Sequence, residues 1–203
     1  MRIVGGAFRG RKLAGPKSFA IRPTSDRLRE TIFDILEHAY PASIEAASVI
    51  DLFAGAGALG LEALSRGAAR ALFVDNGAEA RALLRQNIEM LGVGGVTRVF
   101  RRDATRIGLA PKDERFRLAF LDPPYGQGLA APALAQLARG AWLASGALVI
   151  VEEAASADVP LPEAFLEEET RRYGETQVVF ARWLGGSEGP QSPASNEGSG
   201  RRA

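Results

Sequence analysis

The chain alternates short apolar runs with segments of helical spacing over most of its length. Strand-like apolar runs occupy residues 48–53, 70–75, 97–101, 116–121 and 146–152. Helical patterns occupy residues 58–66, 77–91 and 129–139. This alternation predicts βαβ units, in which crossover helices connect parallel strands. An earlier segment, from Thr24 to about Tyr40, also predicts a helix, with Thr24 as its N-cap.

The pattern changes after Glu153. Residues 165–173 and 176–184 predict two strands joined at Gly174 without room for a crossover helix, so the two strands pair antiparallel. Five parallel strands followed by such a hairpin predict the seven-stranded, Rossmann-like α/β sheet of class I methyltransferases.

The predicted organisation has three parts. Residues 1–23 form a basic N-terminal arm, which begins with a short β-hairpin and continues as a loop. Residues 24–184 form the catalytic domain. Residues 185–203 are rich in Gly, Ser, Glu and Pro, lack apolar content and predict a disordered tail.

The composition limits the available chemistry. The chain has no cysteine, which excludes disulfides, thiolate zinc sites and cysteine nucleophiles and favours a reducing, cytoplasmic compartment. His38 is the only histidine and has no partner ligands, so we expect no metal. No stretch approaches the roughly 20 apolar residues of a membrane span, so we expect a soluble protein.

The net charge of +1 conceals a strong asymmetry. Residues 1–30 carry eight basic and two acidic side chains, a net charge of +6, so the remaining residues carry −5. A basic arm on an acidic body predicts a local surface that binds a polyanion.

A glycine-rich sequence at 55–60 follows the first predicted strand and matches G-x-G-x-x-G, with Asp75 at the end of the next strand. These features alone suit either a nicotinamide cofactor or S-adenosylmethionine. Asp51 favours the second, because a buried anion there suits an ammonium and a sulfonium and would repel a pyrophosphate. Asp103, after the third strand, can accept from an adenine amino group, and Ala104 offers a backbone donor.

A second motif, Asp-Pro-Pro-Tyr at 122–125, follows the fourth predicted strand. The exocyclic amine of a nucleobase is a poor nucleophile while its lone pair is conjugated into the ring. The Asp122 carboxylate and the Pro123 carbonyl can each accept one N–H of that amine, and the prolines fix where the carbonyl points. Tyr125 can stack on the base, an interaction worth about 1–3 kcal/mol. The motif predicts methyl transfer catalysed by positioning.

A third pattern, more specific than these two motifs, lies near the N-terminus. It consists of Met-Arg-Ile-Val-Gly-Gly at 1–6, Arg-Gly-Arg-Lys-Leu at 9–13 and Arg-Pro-Thr at 22–24. From residue 1 to about 184 the chain resembles the RsmD family of S-adenosylmethionine-dependent methyltransferases. The resemblance implies methylation of N2 of a guanine in 16S rRNA, of the position-966 type. It also implies a 30S subunit or assembly intermediate as the substrate, and we expect a monomer.

The predicted site residues fall into three groups. Cofactor contacts are expected at Asp51, Phe53, Gly55, Gly57, Asp75, Asn76, Asp103 and Ala104. Catalytic roles are expected at Asp122, Pro123 and Tyr125. RNA contacts are expected at Arg2, Arg9, Arg11, Lys12 and Arg22.

Other functions stay open at this point. The same clamp suits adenine-N6 methylation of DNA or RNA. Glutamine side-chain methyltransferases typically carry Asn where this chain has Asp122, and would have little use for a basic arm. An NAD-dependent oxidoreductase would leave the motif at 122–125 unexplained. An inactive ribosome-assembly binder would keep the fold and bind RNA without methyl transfer.

Overall fold

The computed structural model describes residues 1–15 and 25–185. Its seven strands are β1 (Ser48–Leu52), β2 (Arg70–Val74), β3 (Thr97–Phe100), β4 (Phe116–Leu121), β5 (Leu143–Ala154), β6 (Phe165–Tyr173) and β7 (Thr176–Trp183). They form one sheet in the order β3-β2-β1-β4-β5-β7-β6. The first five strands are parallel, and β7 runs antiparallel to both β5 and β6. This topology confirms the predicted class I methyltransferase fold.

Helices cover both faces of the sheet. They are α1 (Asp26–Ala39), α2 (Ala58–Ser65), α3 (Ala78–Leu91) and α4 (Ala130–Arg139). The first three pack into one apolar core and α4 into a second core on the other face. Strands buried on both sides are apolar at nearly every position, which explains the continuous runs in the sequence. Among the helices of the described residues, none combines the length and apolarity needed to cross a membrane.

Helix α1 begins one residue later than predicted. Its N-cap is Ser25, whose hydroxyl accepts a hydrogen bond from the Leu28 N–H at 3.1 Å. The prediction of Thr24 as the cap was therefore wrong, because the following serine offers the same kind of oxygen. Helix α3 ends at its C-cap, Gly92, which adopts a left-handed conformation with φ of 70°.

Where the sequence predicts a short N-terminal hairpin, Arg2 and Lys12 form an antiparallel bridge. Around it, the Ile3 N–H donates to the Arg11 carbonyl at 2.9 Å. The backbone of this hairpin packs directly on α2, where a Cβ at Gly6 would overlap the Ser65 carbonyl. We call residues 1–15 the N-terminal segment. The predicted loop at 16–23, with Arg22, and the predicted tail from residue 186 lie outside the described residues.

Strand β5 is longer than the predicted run at 146–152. A register shift between Phe116 and Leu118 on β4 accommodates its early start. Its late end pairs Glu152 and Glu153 with β7. The extension therefore places two glutamates at the carboxyl edge of the sheet, beside the end of β4.

Candidate active site

The carboxyl ends of β1, β2 and β4 and the segment after β3 line a cavity of about 700 Å³. The volume suits a small ligand, since such sites typically measure about 300–1,000 Å³. All of the predicted cofactor and catalytic residues except Gly57 line this cavity. Gly57 instead starts α2 with φ of 85°. A Cβ there would overlap the Leu84 side chain, so this glycine allows α2 to pack against α3.

Asp51 is a nearly fully buried carboxylate at the floor of the cavity, with 2% of its surface exposed. Its Oδ2 accepts a hydrogen bond from the Gly60 N–H, in the first turn of α2, at 2.9 Å. Burial raises the pKa of Asp51 to about 7; the Gly60 N–H works against the rise and the nearby charge of Asp75 adds to it. The arrangement favours a cation in the cavity, because a cation would stabilise the ionised carboxylate.

Asp75 holds the glycine-rich loop from the end of β2. One carboxylate oxygen accepts from the Gly55 N–H at 2.8 Å and the other from the Gly77 N–H at 2.7 Å. A carboxylate has about four lone-pair sites, so these bonds leave acceptor capacity for a hydroxyl. Phe53 turns the chain into this loop with φ of 59°, an uncommon conformation for an aromatic residue.

Asp103 lies on the far side of the cavity, after β3. Its Oδ1 accepts from the Thr105 hydroxyl at 2.7 Å and from the Thr105 N–H at 2.8 Å. These two hydrogen bonds lower the pKa of Asp103. The carboxylate is therefore ionised at neutral pH, next to the buried Ala104.

The Asp-Pro-Pro-Tyr motif is fixed to the sheet by its neighbours. The Tyr125 hydroxyl donates to Glu152 Oε1 at 2.7 Å and lies 3.1 Å from Thr176 Oγ1. Burial, followed by the charge of Glu152, raises the pKa of Tyr125. The next residue, Gly126, donates its N–H to Glu153 at 3.0 Å. Asp122 and Pro123 therefore sit in a loop attached at both β4 and β5.

Several residues of this site were not predicted. Glu152, Glu153 and Thr176 hold the motif from β5 and β7. Asn87 on α3 donates to the carbonyl of Ala56 in the glycine-rich loop at 2.9 Å. A sequence signal exists for the glutamates, because two acids end an otherwise apolar strand.

The N-terminal segment lies beside the cavity, and Met1 contributes to the cavity wall. Its predicted RNA-contacting side chains, Arg2, Arg9, Arg11 and Lys12, are all exposed. Arg2 forms a loose ion pair with Asp26, at 3.7 Å. The start of this basic segment therefore lies at the wall of the cavity.

Comparison with known proteins gives the family. A family model described as conserved hypothetical protein 95 matches residues 1–182. The chain belongs to this family, which is the RsmD family that the sequence predicts. Ribosomal RNA small subunit methyltransferase D of Escherichia coli (strain K12) is 41% identical over 160 residues, which cover 79% of this chain and 78% of the relative.

Two further relatives agree with this assignment. Ribosomal RNA small subunit methyltransferase D of Haemophilus influenzae is 34% identical over 174 residues, covering 84% of this chain and 88% of the relative. The solved structure of yhhF from Escherichia coli superposes with a TM-score of 0.78 and is 36% identical, covering 91% of this chain and 98% of that one.

Proposed function

We propose that the protein transfers a methyl group from S-adenosylmethionine to the exocyclic N2 of a guanine in 16S rRNA, within a 30S subunit or an assembly intermediate. One observation carries the proposal: the Asp122 and Pro123 pair shares a single cavity with Asp51 and Asp75. Membership of the RsmD family supports it. A ribosomal substrate also agrees with the cytoplasmic location expected from the sequence.

The residues of the cavity fit S-adenosylmethionine. Asp51 suits its ammonium group, Asp75 its ribose hydroxyls, and Asp103 with Ala104 its adenine ring. When bound, the cofactor supplies an electrophilic methyl carbon on a sulfonium. A nicotinamide dinucleotide fits less well, because its pyrophosphate would lie near a buried carboxylate that has one hydrogen bond, from Gly60.

The target amine is held by the motif at 122–125. The Asp122 carboxylate and the Pro123 carbonyl each accept one N–H, which turns the nitrogen lone pair out of conjugation and toward the methyl carbon. Asp122 also takes the proton that the amine loses as the new C–N bond forms and the bond from sulfur to the methyl carbon breaks. The ties from Tyr125 and Gly126 to β5 keep this pair in place. Positioning of this kind can supply an effective molarity of about 10⁵–10⁸ M.

The direct test uses 30S subunits from a strain that lacks the protein, incubated with the purified enzyme and S-adenosylmethionine carrying a labelled methyl group. Digestion and mass mapping of the 16S rRNA should find N2-methylguanosine at one position. N6-methyladenosine instead would support the adenine alternative and overturn the proposed base. Binding of the subunits without any transfer would indicate an inactive assembly factor.

A variant tests the clamp itself. We expect Asp122→Ala to lower the methyl-transfer rate by about 10²–10³, the effect of removing one preorganised polar group at a reacting centre. Affinity for the cofactor should change little, because its binding residues stay in place. Asp158→Ala, at an exposed aspartate after β5, is the matched control. Equal turnover of Asp122→Ala and the parent would contradict the clamp.

A further inference from the structure

Asn87 is a polar residue on the buried face of α3, which it shares with Leu84, Ile88 and Leu91. Its side chain is completely buried. The amide nitrogen donates to the Ala14 carbonyl at 3.0 Å and to the Ala56 carbonyl at 2.9 Å. The amide oxygen accepts from the Ala14 N–H at 2.7 Å.

The surrounding groups fix the orientation of this amide. If its oxygen and nitrogen were exchanged, the oxygen would face two carbonyls and the NH₂ group would face the Ala14 N–H. Both donors of Asn87 are therefore committed, one to each of two separate segments. Removing them would leave two partly buried carbonyls without this partner, and polar groups removed from water are almost always hydrogen-bonded.

The two segments have different tasks. Ala56 belongs to the glycine-rich loop that lines the cofactor cavity. Ala14 ends the bridged part of the N-terminal segment, after the exposed cations Arg9, Arg11 and Lys12. Asn87 thus joins the loop expected to bind cofactor to the segment expected to bind RNA, although Ala14 and Ala56 lie far apart in sequence.

A second attachment joins the N-terminal segment to α2. The buried Glu62 on α2 accepts the N–H of Val4 at 2.9 Å and of Gly5 at 2.7 Å. Its charge is balanced by Arg66, whose Nε lies 3.0 Å away. This contact attaches the N-terminal segment to α2, which directly follows the glycine-rich loop. The Asn87 side chain adds a hydrogen-bonded link from the same segment to the Ala56 carbonyl of the loop.

We propose that Asn87 is a positioning residue that couples the N-terminal segment to the cofactor loop, so that RNA and S-adenosylmethionine each strengthen binding of the other. The proposal rests on the proposed function. When cofactor orders the loop around Ala56, Asn87 and with it the Ala14 backbone lose freedom before RNA arrives. A ligand that binds an already ordered segment loses less conformational entropy, and the gain is reciprocal.

The parent protein gives the first measurement. We expect S-adenosylhomocysteine, which carries no methyl group to transfer, to bind at least fivefold tighter in the presence of saturating 30S subunits, within the range of about 5–150-fold typical of coupled sites. The affinity of the subunits should rise by the same factor when S-adenosylhomocysteine is added. Independent binding in the parent would overturn the proposal, and this measurement needs no variant.

Two variants of Asn87 test the residue. Asn87→Asp keeps the shape and the acceptor for the Ala14 N–H but cannot donate to both carbonyls, and Asn87→Ala loses all three bonds. In each we expect the coupling factor to fall toward one, although Glu62 still attaches the segment to α2, and the affinity for S-adenosylhomocysteine alone to weaken by about tenfold, or about 1.4 kcal/mol. Gln86→Ala, which removes an exposed amide from the same helix, should leave both quantities unchanged.

A role in stability alone would change the melting temperature and leave the coupling factor as it is in the parent. If a variant of Asn87 does not fold, Ala14→Pro, which removes the N–H donated to Asn87 and fixes φ at that residue, should lower the same factor. A coupling factor equal to that of the parent in these variants would refute the role of Asn87.

Hydrogen exchange separates this inference from the proposed function, because it needs no RNA. S-adenosylhomocysteine should slow exchange of the Ala14 amide in the parent and in Gln86→Ala but not in Asn87→Asp. Failure of methyl transfer with this protection intact would count against the proposed function alone. Methyl transfer without the protection would count against the coupling alone.

Discussion

At the scale of single residues, protonation of Asp51 should make cofactor binding in the cavity depend on pH. Burial raises the pKa of this carboxyl to about 7, and only the ionised form attracts a cationic cofactor. We therefore expect the affinity for S-adenosylmethionine to rise as the pH increases from about 6 to about 8 and then to level off. Calorimetric titration across this range measures the effect. Asp51→Asn should bind weakly and show a flat profile.

The stability of the cofactor-free protein should change in the opposite direction. The folded pKa lies above the ordinary value of 3.8, so the native state holds this proton more tightly than the unfolded chain does. Its contribution is fully present below about pH 4 and is lost as the pH rises through about 7. Melting temperatures of the parent relative to Asp51→Asn should fall over that window. A constant difference would show that Asp51 does not titrate there.

Residues of the site differ in how far the sequence reveals them. Asp51, Asp75 and Asp103 could be predicted because each stands at the end of a strand, and parallel strands bring their carboxyl ends to one edge. Glu62 and Asn87 could not, because they act on backbone groups 58 and 73 residues away in the chain. Such partners exist only once the N-terminal segment has packed on α2 and α3.

At the scale of elements, the loop after β4 depends on the end of β5. We expect Tyr125→Phe to destabilise the protein by about 1–3 kcal/mol, because the hydrogen bond to the buried Glu152 is lost. For a chain of this size that lowers the melting temperature by a few degrees. The methyl-transfer rate should fall by about tenfold, since the position of Asp122 is less well fixed.

The control for this prediction is Tyr173→Phe, at a half-buried tyrosine on the edge strand β6. It removes the same hydroxyl without touching the loop and should leave the rate unchanged. If Tyr125→Phe transferred methyl groups as fast as Tyr173→Phe, the attachment to Glu152 would have no part in holding the clamp.

Whole strands also differ in how far the sequence predicts them, because some depend on local pattern and others on contacts with distant elements. The parallel strands were predictable because burial on both faces requires apolar residues at nearly every position. The full length of β5 was not, because its last residues pair with β7 while Glu152 and Glu153 serve the neighbouring loop. The sequence predicted a short N-terminal hairpin but not its contacts with Glu62 and Ser65 of α2.

At the scale of the whole molecule, the positively charged surface lies beside the cavity. The basic N-terminal segment adjoins the cavity through Met1 and is attached to α2 and α3. We expect an RNA whose backbone contacts this segment to approach the cavity from the side of Met1. Residues 31–203 carry a net charge of −5, so we expect electrostatics to favour contact of phosphate with the basic N-terminal residues.

The salt dependence of RNA binding tests this arrangement. We expect replacement of the exposed Arg9, Arg11 and Lys12 by glutamine to weaken binding of 30S subunits and to reduce the slope of log affinity against log salt by about 2–3, as loss of three phosphate contacts requires. Affinity for S-adenosylhomocysteine alone should not change. Arg171→Gln with Arg172→Gln, on the edge strand β6, is the matched control and should keep the parent slope. An unaltered slope in the triple variant would mean that the N-terminal segment does not contact phosphate, and that RNA approaches the cavity from another side.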